Sequence, residues 1–331
     1  MGETVGKMRW SSRRVAALLA LLLAGGCVTT RHAQTANGRF REHEEVFAKP
    51  ENVSLRATIF EPVDEGEALR PAVVLIHGGA WVSGGRYFRR WYGRRLAEHG
   101  YVVVSVTYRR MPSHPFPDCM HDVKAAVRWV RLNAERLRVD PDRIAALGDS
   151  AGGHLSLLLA VTGDDAGAED AELEGRENPG PSSAVQAVVA LYPPTDLTYY
   201  LDPHGALKLG GLTPAYMRRF VRGFGATSEE ALRAASPISR VHAGVCPVLL
   251  IHGLDDPIVP YDQSQRMHRA LRGAGVPARL ISVPNRGHGF DYIHHDLRAK
   301  VFEEICAFLD DRLKSDAGAQ AVGAGAKGAH G

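Results

Sequence analysis

Gly148-Asp149-Ser150-Ala151-Gly152 follows directly on the apolar run Arg143-Ile144-Ala145-Ala146-Leu147. A strand that ends in G-x-S-x-G and leads into a helix makes a sharp turn, which lifts the serine hydroxyl out of the sheet to where another molecule can reach it. Glycines flank the turn because a side chain there would collide with the neighbouring strand or helix. The stretch therefore predicts a strand, a turn and a helix that present Ser150. Because the chain has 35 glycines in 331 residues, G-x-S-x-G could occur by chance. The residues around the pattern must therefore show whether it has this structure.

Short apolar runs alternate with helical patterns on both sides of this turn. The runs rich in Val, Ile and Leu are predicted as strands over residues 72–76, 102–107, 144–147, 185–191, 248–251 and 278–283, with a hairpin over 44–49 and 54–60. Helices are predicted over residues 118–138, 152–161, 261–273 and 296–313. Such alternation is typical of an α/β fold, and we expect a mostly parallel central sheet of about eight strands with helices on both faces.

Two stretches interrupt the alternation inside the expected domain, residues 43–314. The acidic stretch 163–180 is predicted to be a solvated surface insertion. The stretch 197–235 is richer in aromatic residues and lies between two strands, so we predict a small lid over the carboxyl edge of the sheet. The Ala- and Gly-rich stretch 315–331 is predicted to be a disordered tail.

Residues 1–27 are predicted to be a signal peptide. The apolar run Val15 to Ala24 follows several basic residues and is shorter than the roughly 20 residues that span a bilayer, but it matches the core of a secretory signal. Leu23-Ala24-Gly25-Gly26-Cys27 resembles a bacterial lipoprotein signal, which implies lipidation of Cys27. Residues 28–42 would then be a tether, and we expect an exported, membrane-attached protein in the periplasm or on the cell surface. A twin-arginine signal at Ser12-Arg13-Arg14 is a poorer match.

Charge and cysteine content exclude some partners. The formal net charge is +3, and Lys and Arg are scattered, so we expect no nucleic-acid partner. The nearest thing to a basic cluster is interpreted as a solvated helix face formed by Arg86, Arg89, Arg90, Arg94 and Arg95. The three cysteines after Cys27 have no C-x-x-C spacing and predict no zinc site; free thiols and one disulfide both stay open.

The chain also contains the groups that would activate Ser150. A serine hydroxyl needs a base within hydrogen-bond reach and a carboxylate that orients the base. The strand 248–251 ends in a loop with Asp255 and Asp256, and the strand 278–283 is followed by His288, which stands between two glycines. All of these groups follow the carboxyl ends of strands, the edge at which open α/β sheets bind ligands.

A second requirement is a set of backbone N–H groups that stabilise a developing oxyanion. His77-Gly78-Gly79-Ala80-Trp81 follows the strand 72–76 and offers a turn whose amides can face the serine. Ala151, which opens the helix after Ser150, offers a further amide.

Six motifs in order carry a family resemblance that covers roughly residues 45–312: HGGAW, TYRR with PFPDCMHDVKAAVRWVR, GDSAGG, YPPTDL, LIHGLDDPIVPYDQS and NRGHGF. The chain resembles the α/β-hydrolase esterases of the hormone-sensitive-lipase-like and bacterial feruloyl-esterase-like groups. The resemblance implies Ser150 as nucleophile, His288 as base and Asp256 as acid, with Asp255 as the alternative acid.

The same resemblance implies an oxyanion hole at Gly78, Gly79, Ala80 and Ala151. The family has a glycine where this chain has Ala80, and an alanine can serve there if its φ is negative. His77 and His252 are expected to shape loops, and His294 and His295 compete less well than His288 for the role of base. Asp149 and Asp196 are expected to be structural hydrogen-bond acceptors, and Trp81 and the aromatic residues of the lid are expected to pack.

The function implied by the resemblance is hydrolysis of a small-molecule carboxylic ester through an acyl-enzyme, with no metal or organic cofactor. A serine peptidase of the prolyl-oligopeptidase kind is the first alternative, although the sequence has no detectable internal repeat. A non-catalytic binding protein on the same fold is the second. The sequence predicts neither the natural ester nor the oligomeric state.

Overall fold

The computed structural model of this protein describes residues 39–63, 68–163, 168–201, 212–224 and 227–315. The predicted signal with Cys27, the tether up to residue 38, the centre of the predicted lid and the tail after residue 315 lie outside the described residues and stay predictions. Within the described ranges, no helix is both long enough and apolar enough to cross a bilayer.

Eight strands form one sheet, in the spatial order β1-β2-β4-β3-β5-β6-β7-β8. Their bounds are β1 Phe40–Ala48, β2 Leu55–Pro62, β3 Arg70–Ile76, β4 Val102–Val106, β5 Val139–Asp149, β6 Ala187–Leu191, β7 Val248–Gly253 and β8 Ala278–Val283. Strands β1 and β2 form an antiparallel hairpin, and β2 pairs antiparallel with β4. The six strands β3 to β8 all run parallel to one another. The prediction of a mostly parallel α/β sheet of about eight strands is confirmed.

Helices cover both faces of this sheet. Their bounds are α1 Arg90–Glu98, α2 Asp118–Leu132, α3 Ala134–Leu137, α4 Ala151–Val161, α5 Pro214–Phe220, α6 Ser228–Ala234, α7 Tyr261–Gly273, α8 Phe290–Ile293 and α9 His295–Leu313. Alternate residues of a strand point to opposite faces. Val74 accordingly packs in the core with Val123 of α2, whereas Val73 packs in a second core with Ile305 of α9.

The long helix predicted over residues 118–138 is instead two helices. Helix α2 ends at Leu132, and Asn133, with φ −109° and ψ 14°, separates it from the short helix α3. Arg138 then has a positive φ of 54°, which no right-handed helix accommodates. The apolar spacing continues through the break, so periodicity alone did not show it.

The described part of the stretch 163–180, from residue 168 onward, is not merely solvated. Leu173 is buried, and the carboxylate of Glu174 forms ion pairs with Lys124 and Arg128 of α2. The buried Lys124 ammonium also donates to the Thr162 carbonyl at 2.6 Å. A buried ammonium needs such acceptors, so the stretch is held against the domain by ionic contacts that its acidic composition did not predict.

Neighbouring strands bring the sequence motifs to one edge of the sheet. Strands β3 and β5 are adjacent, and Ile76 pairs with Gly148. The loop after β3 therefore begins beside the turn that carries Ser150. The loops after β7 and β8, with Asp256 and His288, open at the same edge because these strands run parallel to β5.

Two glycines make the crossing between β5 and α4 possible. A Cβ atom at Gly152 would overlap the carbonyl oxygens of Ile76 and His77, and one at Gly148 would overlap the Gly152 carbonyl. Backbone atoms cannot move aside as a flexible side chain can. Gly152 is therefore required by the close approach of helix α4 to the end of strand β3, and Gly148 by the close approach of helix α4 to the end of strand β5.

We predict that Gly152→Ala lowers the free energy of unfolding by about 3 kcal/mol, because the added methyl group meets main-chain oxygens. Gly273→Ala is the matched control, since nothing lies within 4 Å of a Cβ atom at that position and its φ is not positive. The control should gain up to about 1 kcal/mol from the better helix propensity of alanine. Urea denaturation of both variants measures the difference, and equal stability would show that the crossing tolerates a side chain.

Candidate active site

The turn between β5 and α4 holds Ser150 in a strained backbone conformation. Ser150 has φ 50° and ψ −120°. A non-glycine residue in such a conformation costs about 1–3 kcal/mol, which the surrounding structure must supply. The Ser150 N–H donates to the Leu191 carbonyl at 2.9 Å, and the Ser150 carbonyl accepts from the His154 N–H at 2.9 Å. These bonds hold the turn on both sides, so that the side chain projects from the sheet edge.

The structure brings together the three side chains that the sequence assigned to catalysis. Ser150 Oγ lies 3.0 Å from His288 Nε2, and His288 Nδ1 lies 2.7 Å from Asp256 Oδ2. In this arrangement Nδ1–H donates to the carboxylate and Nε2 accepts from the serine hydroxyl. The imidazole is thus oriented to take the proton of Ser150.

Asp256, rather than Asp255, makes this contact. Asp256 is buried, and its second oxygen accepts the backbone N–H groups of Ile258 and Val259 at 2.8 and 2.9 Å. Burial alone would raise the pKa of Asp256, but the charge of His288 and hydrogen bonds from His252 and His288 outweigh it and hold this pKa below its usual range. Asp255 is exposed, and its backbone N–H donates to the Arg286 carbonyl.

The other histidines have the structural roles expected of them. His77 is buried, stacks on Tyr108 with ring centroids 4.3 Å apart and donates from Nδ1 to the Gly78 carbonyl; burial lowers its pKa to about 4. His252 lies between Ser264 Oγ at 2.7 Å and the Val259 carbonyl at 2.9 Å, with Nε2 also 3.2 Å from Asp256 Oδ2. His252 therefore supports the loop that carries the acid.

Further residues of the family motifs are structural too. Asp196 accepts from the Thr198 hydroxyl at 2.6 Å and pairs with Arg266 at 2.5 Å. Burial raises and these hydrogen bonds lower the pKa of Asp196, with a net decrease. His294 and His295 lie at the junction of α8 and α9, as the N-cap and first residue of α9.

The loop after β3 corrects one expected site residue. The Gly78 N–H donates to Asp149 Oδ1 at 3.0 Å, so this amide is already used and is not free for an oxyanion. Within the part of the chain that the structure describes, the N–H groups of Gly79, Ala80 and Ala151 have no hydrogen-bond partner. These three amides stay the candidate donors.

The backbone at Ala80 also differs from the expectation. Ala80 has φ 49°, not a negative φ, and Trp81 follows with φ 57°. Two consecutive non-glycine residues in the left-handed region each cost about 1–2 kcal/mol. The tight turn is closed by the N–H groups of Val82 and Ser83, which both donate to the Gly79 carbonyl.

Aromatic packing stabilises this turn from the side of the predicted lid. The Trp81 ring is buried, with centroids 4.4 Å from Phe220 of α5 and 5.2 Å from His154 of α4. The hydroxyl of Tyr216, also in α5, donates to the Ala80 carbonyl. Helix α5, a described part of the 197–235 segment, therefore contacts the loop that holds the candidate oxyanion donors, and Trp81 packs as predicted.

Arg89 is the residue whose role the sequence analysis missed. The arginine cluster 86–95 is not a uniformly solvated face, because Arg89 is only 2% exposed and its Nε donates to Asp149 Oδ1 at 2.7 Å. Arg89 precedes the buried residues Tyr92 and Leu96 by three and seven positions. That helical spacing places Arg89 on the apolar face of α1 and could have identified it.

The described ranges contain no group of three or more His, Cys, Asp and Glu side chains placed to hold a metal ion, and Cys119, Cys246 and Cys306 are free thiols. Burial raises the pKa of all three thiols, with that of Cys246 reaching about 12.

We predict that Ala80→Gly raises the free energy of unfolding by about 0.5–1 kcal/mol, because glycine adopts a positive φ without the steric cost that alanine bears. Ala97→Gly in helix α1 is the control and should lose about 1 kcal/mol, since its backbone is helical. Guanidinium denaturation compares the two variants. A loss of stability in both would mean that Ala80 is not strained.

Comparison with known proteins agrees with this geometry. Residues 58–271 match the model of the BD-FAE family. Esterase LipC of Mycobacterium tuberculosis is 32% identical over 249 residues, which cover 75% of this chain and 60% of that protein. Three curated relatives of M. tuberculosis, LipC among them, extend well beyond the match, since the chain spans 50% to 60% of their length.

Solved structures share the whole domain. The thermophilic esterase Est2 of Thermogutta terrifontis with propionate bound has a TM-score of 0.68 and 28% identity, and the match covers 85% of this chain and 97% of Est2. Est2 phosphonylated by cyclosarin matches with a TM-score of 0.66 and 29% identity over 82% of this chain and 94% of Est2. Because the family model matches more than half of the sequence and the structure has the expected mostly parallel sheet of eight strands, the chain belongs to the BD-FAE family of α/β-hydrolases.

Proposed function

We propose that this protein is a serine hydrolase that cleaves carboxylic esters through an acyl-enzyme. The observation that carries the proposal is the hydrogen-bonded chain from Ser150 Oγ through His288 to the buried Asp256 carboxylate. The similarity to Esterase LipC and to Est2 supports it. Phosphonylation of Est2 by cyclosarin is the type of reaction expected of an activated serine.

In the first half of the reaction, Ser150 Oγ attacks the carbonyl carbon of the ester while His288 Nε2 takes its proton. Asp256 holds the imidazole in the correct tautomer and stabilises its protonated form. The carbonyl oxygen becomes an oxyanion, toward which the free amides of Gly79, Ala80 and Ala151 would donate. When the tetrahedral intermediate collapses, the C–O bond to the alcohol breaks, and His288 gives its proton to the departing alkoxide oxygen.

In the second half, water attacks the acyl-enzyme. His288 Nε2 takes a proton from that water, a second tetrahedral intermediate forms on the same amides, and its collapse returns the proton to Ser150 Oγ. The products are a carboxylic acid and an alcohol. The chain's own side chains and backbone supply every step, so the mechanism requires no cofactor.

The segment 197–235 is the element that we propose sets acyl preference. Phe220 packs on Trp81, and Tyr216 binds the Ala80 carbonyl, so the segment borders the side of the site where the acyl carbonyl would lie. Est2 binds propionate, an acid with a short chain. Short-chain p-nitrophenyl esters are therefore the first substrates to test.

We predict that Ser150→Ala lowers kcat on p-nitrophenyl butyrate by about 10⁶-fold, because no other group replaces the nucleophile. The melting temperature should not fall, since alanine keeps the turn and removes only the hydroxyl. Ser156→Ala is the control. Ser156 is a buried serine of helix α4 whose hydroxyl donates to the Gly152 carbonyl, and its loss should leave kcat within a few-fold of wild type.

Labelling by a fluorophosphonate, followed by peptide mass spectrometry, identifies the reactive residue independently. The label should lie on Ser150. A wild-type protein that neither turns over esters nor takes the label would be the non-catalytic binding protein considered as the alternative.

A second prediction separates the two aspartates of the loop. Asp256→Asn should lower kcat by about 10⁴-fold, because an amide supports the wrong imidazole tautomer. Asp255→Asn should change kcat by less than about 2-fold, since Asp255 is exposed and does not reach His288. Steady-state kinetics of both variants decides the assignment, and a large loss in Asp255→Asn alone would reverse it.

A further inference from the structure

A buried arginine lies directly behind the catalytic side chains and has no part in the mechanism above. The guanidinium of Arg89 contacts two carboxylates, those of Asp149 and Asp291, and also the hydroxyl of Tyr192. Both carboxylates are buried as well. One positive and two negative charges are therefore enclosed beneath the carboxyl edge of the sheet, where each unpaired charge would cost several kcal/mol.

The first arm of this cluster reaches the oxyanion loop. Asp149 Oδ1 accepts both Arg89 Nε, at 2.7 Å, and the Gly78 N–H, at 3.0 Å. Gly78 directly precedes Gly79 and Ala80, whose amides are the candidate oxyanion donors, and Asp149 directly precedes Ser150. The carboxylate thus fixes the distance between the loop and the nucleophile, and Arg89 fixes the carboxylate.

The second arm reaches the loop of the catalytic base. Asp291 follows His288 by three residues in the chain, and its carboxylate pairs with Arg89. The same carboxylate accepts hydrogen bonds from the hydroxyls of Tyr92, at 2.9 Å, and Tyr192, at 2.7 Å. The Tyr192 ring packs edge-on against the His288 ring, with centroids 4.6 Å apart. Arg89 therefore also holds the groups against which the imidazole rests.

Electrostatics make Arg89 the member on which both arms depend. Burial raises the pKa of Asp149, but the Arg89 charge and hydrogen bond, with smaller contributions from His77 and Gly78, lower it to a value below the usual range. Without the guanidinium, two carboxylates would share a dry region and repel each other, so water would enter the region or the two groups would move apart. Each of these outcomes changes the position of Gly78 or of Tyr192.

We propose that Arg89 is a positioning residue that holds the oxyanion loop and the His288 loop in one geometry, through Asp149 on one side and Asp291 with Tyr192 on the other. The proposal rests on the proposed ester hydrolysis for its kinetic consequence. The oxyanion forms only as the reaction proceeds, so the amides that donate to it contribute little to the binding of the ester in the ground state. Loss of Arg89 should therefore lower kcat far more than it changes KM.

The kinetic test compares Arg89→Met with Arg109→Met on p-nitrophenyl butyrate, with active enzyme counted by fluorophosphonate titration. Arg109 is a matched control, because it is also buried and also pairs with more than one carboxylate: Asp122 at 2.9 Å, Glu51 at 3.3 Å and Asp118 at 3.4 Å. We expect Arg89→Met to lose about 100-fold in kcat, the effect of a misplaced oxyanion donor, with KM within about 3-fold. Arg109→Met should lose stability but keep kcat per active site within about 3-fold. Equal kinetic losses in the two variants would overturn the proposal.

A second measurement does not depend on turnover. Hydrogen exchange of the Gly78 amide, followed by NMR on deuterated protein, should be at least about 10-fold faster in Arg89→Met than in wild type and unchanged in Arg109→Met, after correction for global stability. If wild-type protein hydrolyses no ester, the proposed function fails, and this exchange measurement still decides the role of Arg89. Unchanged exchange at Gly78 would overturn that role.

Two further variants keep the test decisive if Arg89→Met does not fold. Tyr292→Phe removes the hydroxyl that donates to Asp149 Oδ2 at 3.3 Å but leaves the ring over Arg89, and it should speed Gly78 exchange by a few-fold. Tyr101→Phe is its control, because it removes a similar Tyr–Asp hydrogen bond, to Asp310, outside this cluster.

Arg89→Lys retains the charge without the planar fork and should give a kcat between those of wild type and Arg89→Met. A kcat for Arg89→Lys equal to wild type would contradict a role in joining two arms.

Discussion

The contact between Gly152 and the main chain of Ile76 and His77 is the constraint on which the rest of the site depends. It lets helix α4 begin against strand β3, so that Ser150 and the loop after β3 open at the same place. The turn that results holds Ser150 at φ 50°. Strain of this kind persists only where many bonds oppose its relaxation. Here the N–H and the carbonyl of Ser150 are both hydrogen-bonded, which opposes relaxation of the turn.

Buried charge, rather than apolar packing, connects the loops around this turn. Apolar contacts tolerate small shifts, whereas a buried ion pair loses much of its compensation when one partner moves. Asp149 lies next to Ser150 in the chain and binds both Gly78 and Arg89. Asp291 joins the same guanidinium from the loop of the base. The positions of nucleophile, oxyanion loop and base are thus related through charged groups that make no contact with substrate in the mechanism.

The sequence predicted which side chains would come together at the sheet edge much better than it predicted the groups that hold them there. Ser150, Asp256 and His288 each follow a strand, and parallel strands bring their carboxyl ends together without any further information. Asp256 was preferred over Asp255 only by family resemblance, and the structure shows why, since Asp256 is buried beside His288. That Asp149 occupies the Gly78 N–H and that Ala80 has a positive φ did not follow from the sequence, because backbone direction and the sign of φ depend on neighbours distant in the chain. Arg89 was overlooked because arginines on a helix are usually solvated.

The order of apolar runs, the glycines of the turn and the residues at strand ends are local properties, and they determined the α/β sheet and the composition of the site from sequence alone. Which N–H groups stay free, which aspartate is buried and which arginine faces inward were decided by the tertiary structure. The physical reason is that each of these depends on the removal of water by segments far apart in the chain. Arg89 and Asp291 are separated by 202 positions in the chain. Only in the folded domain are both side chains removed from water, so that each charge is stabilised by the other.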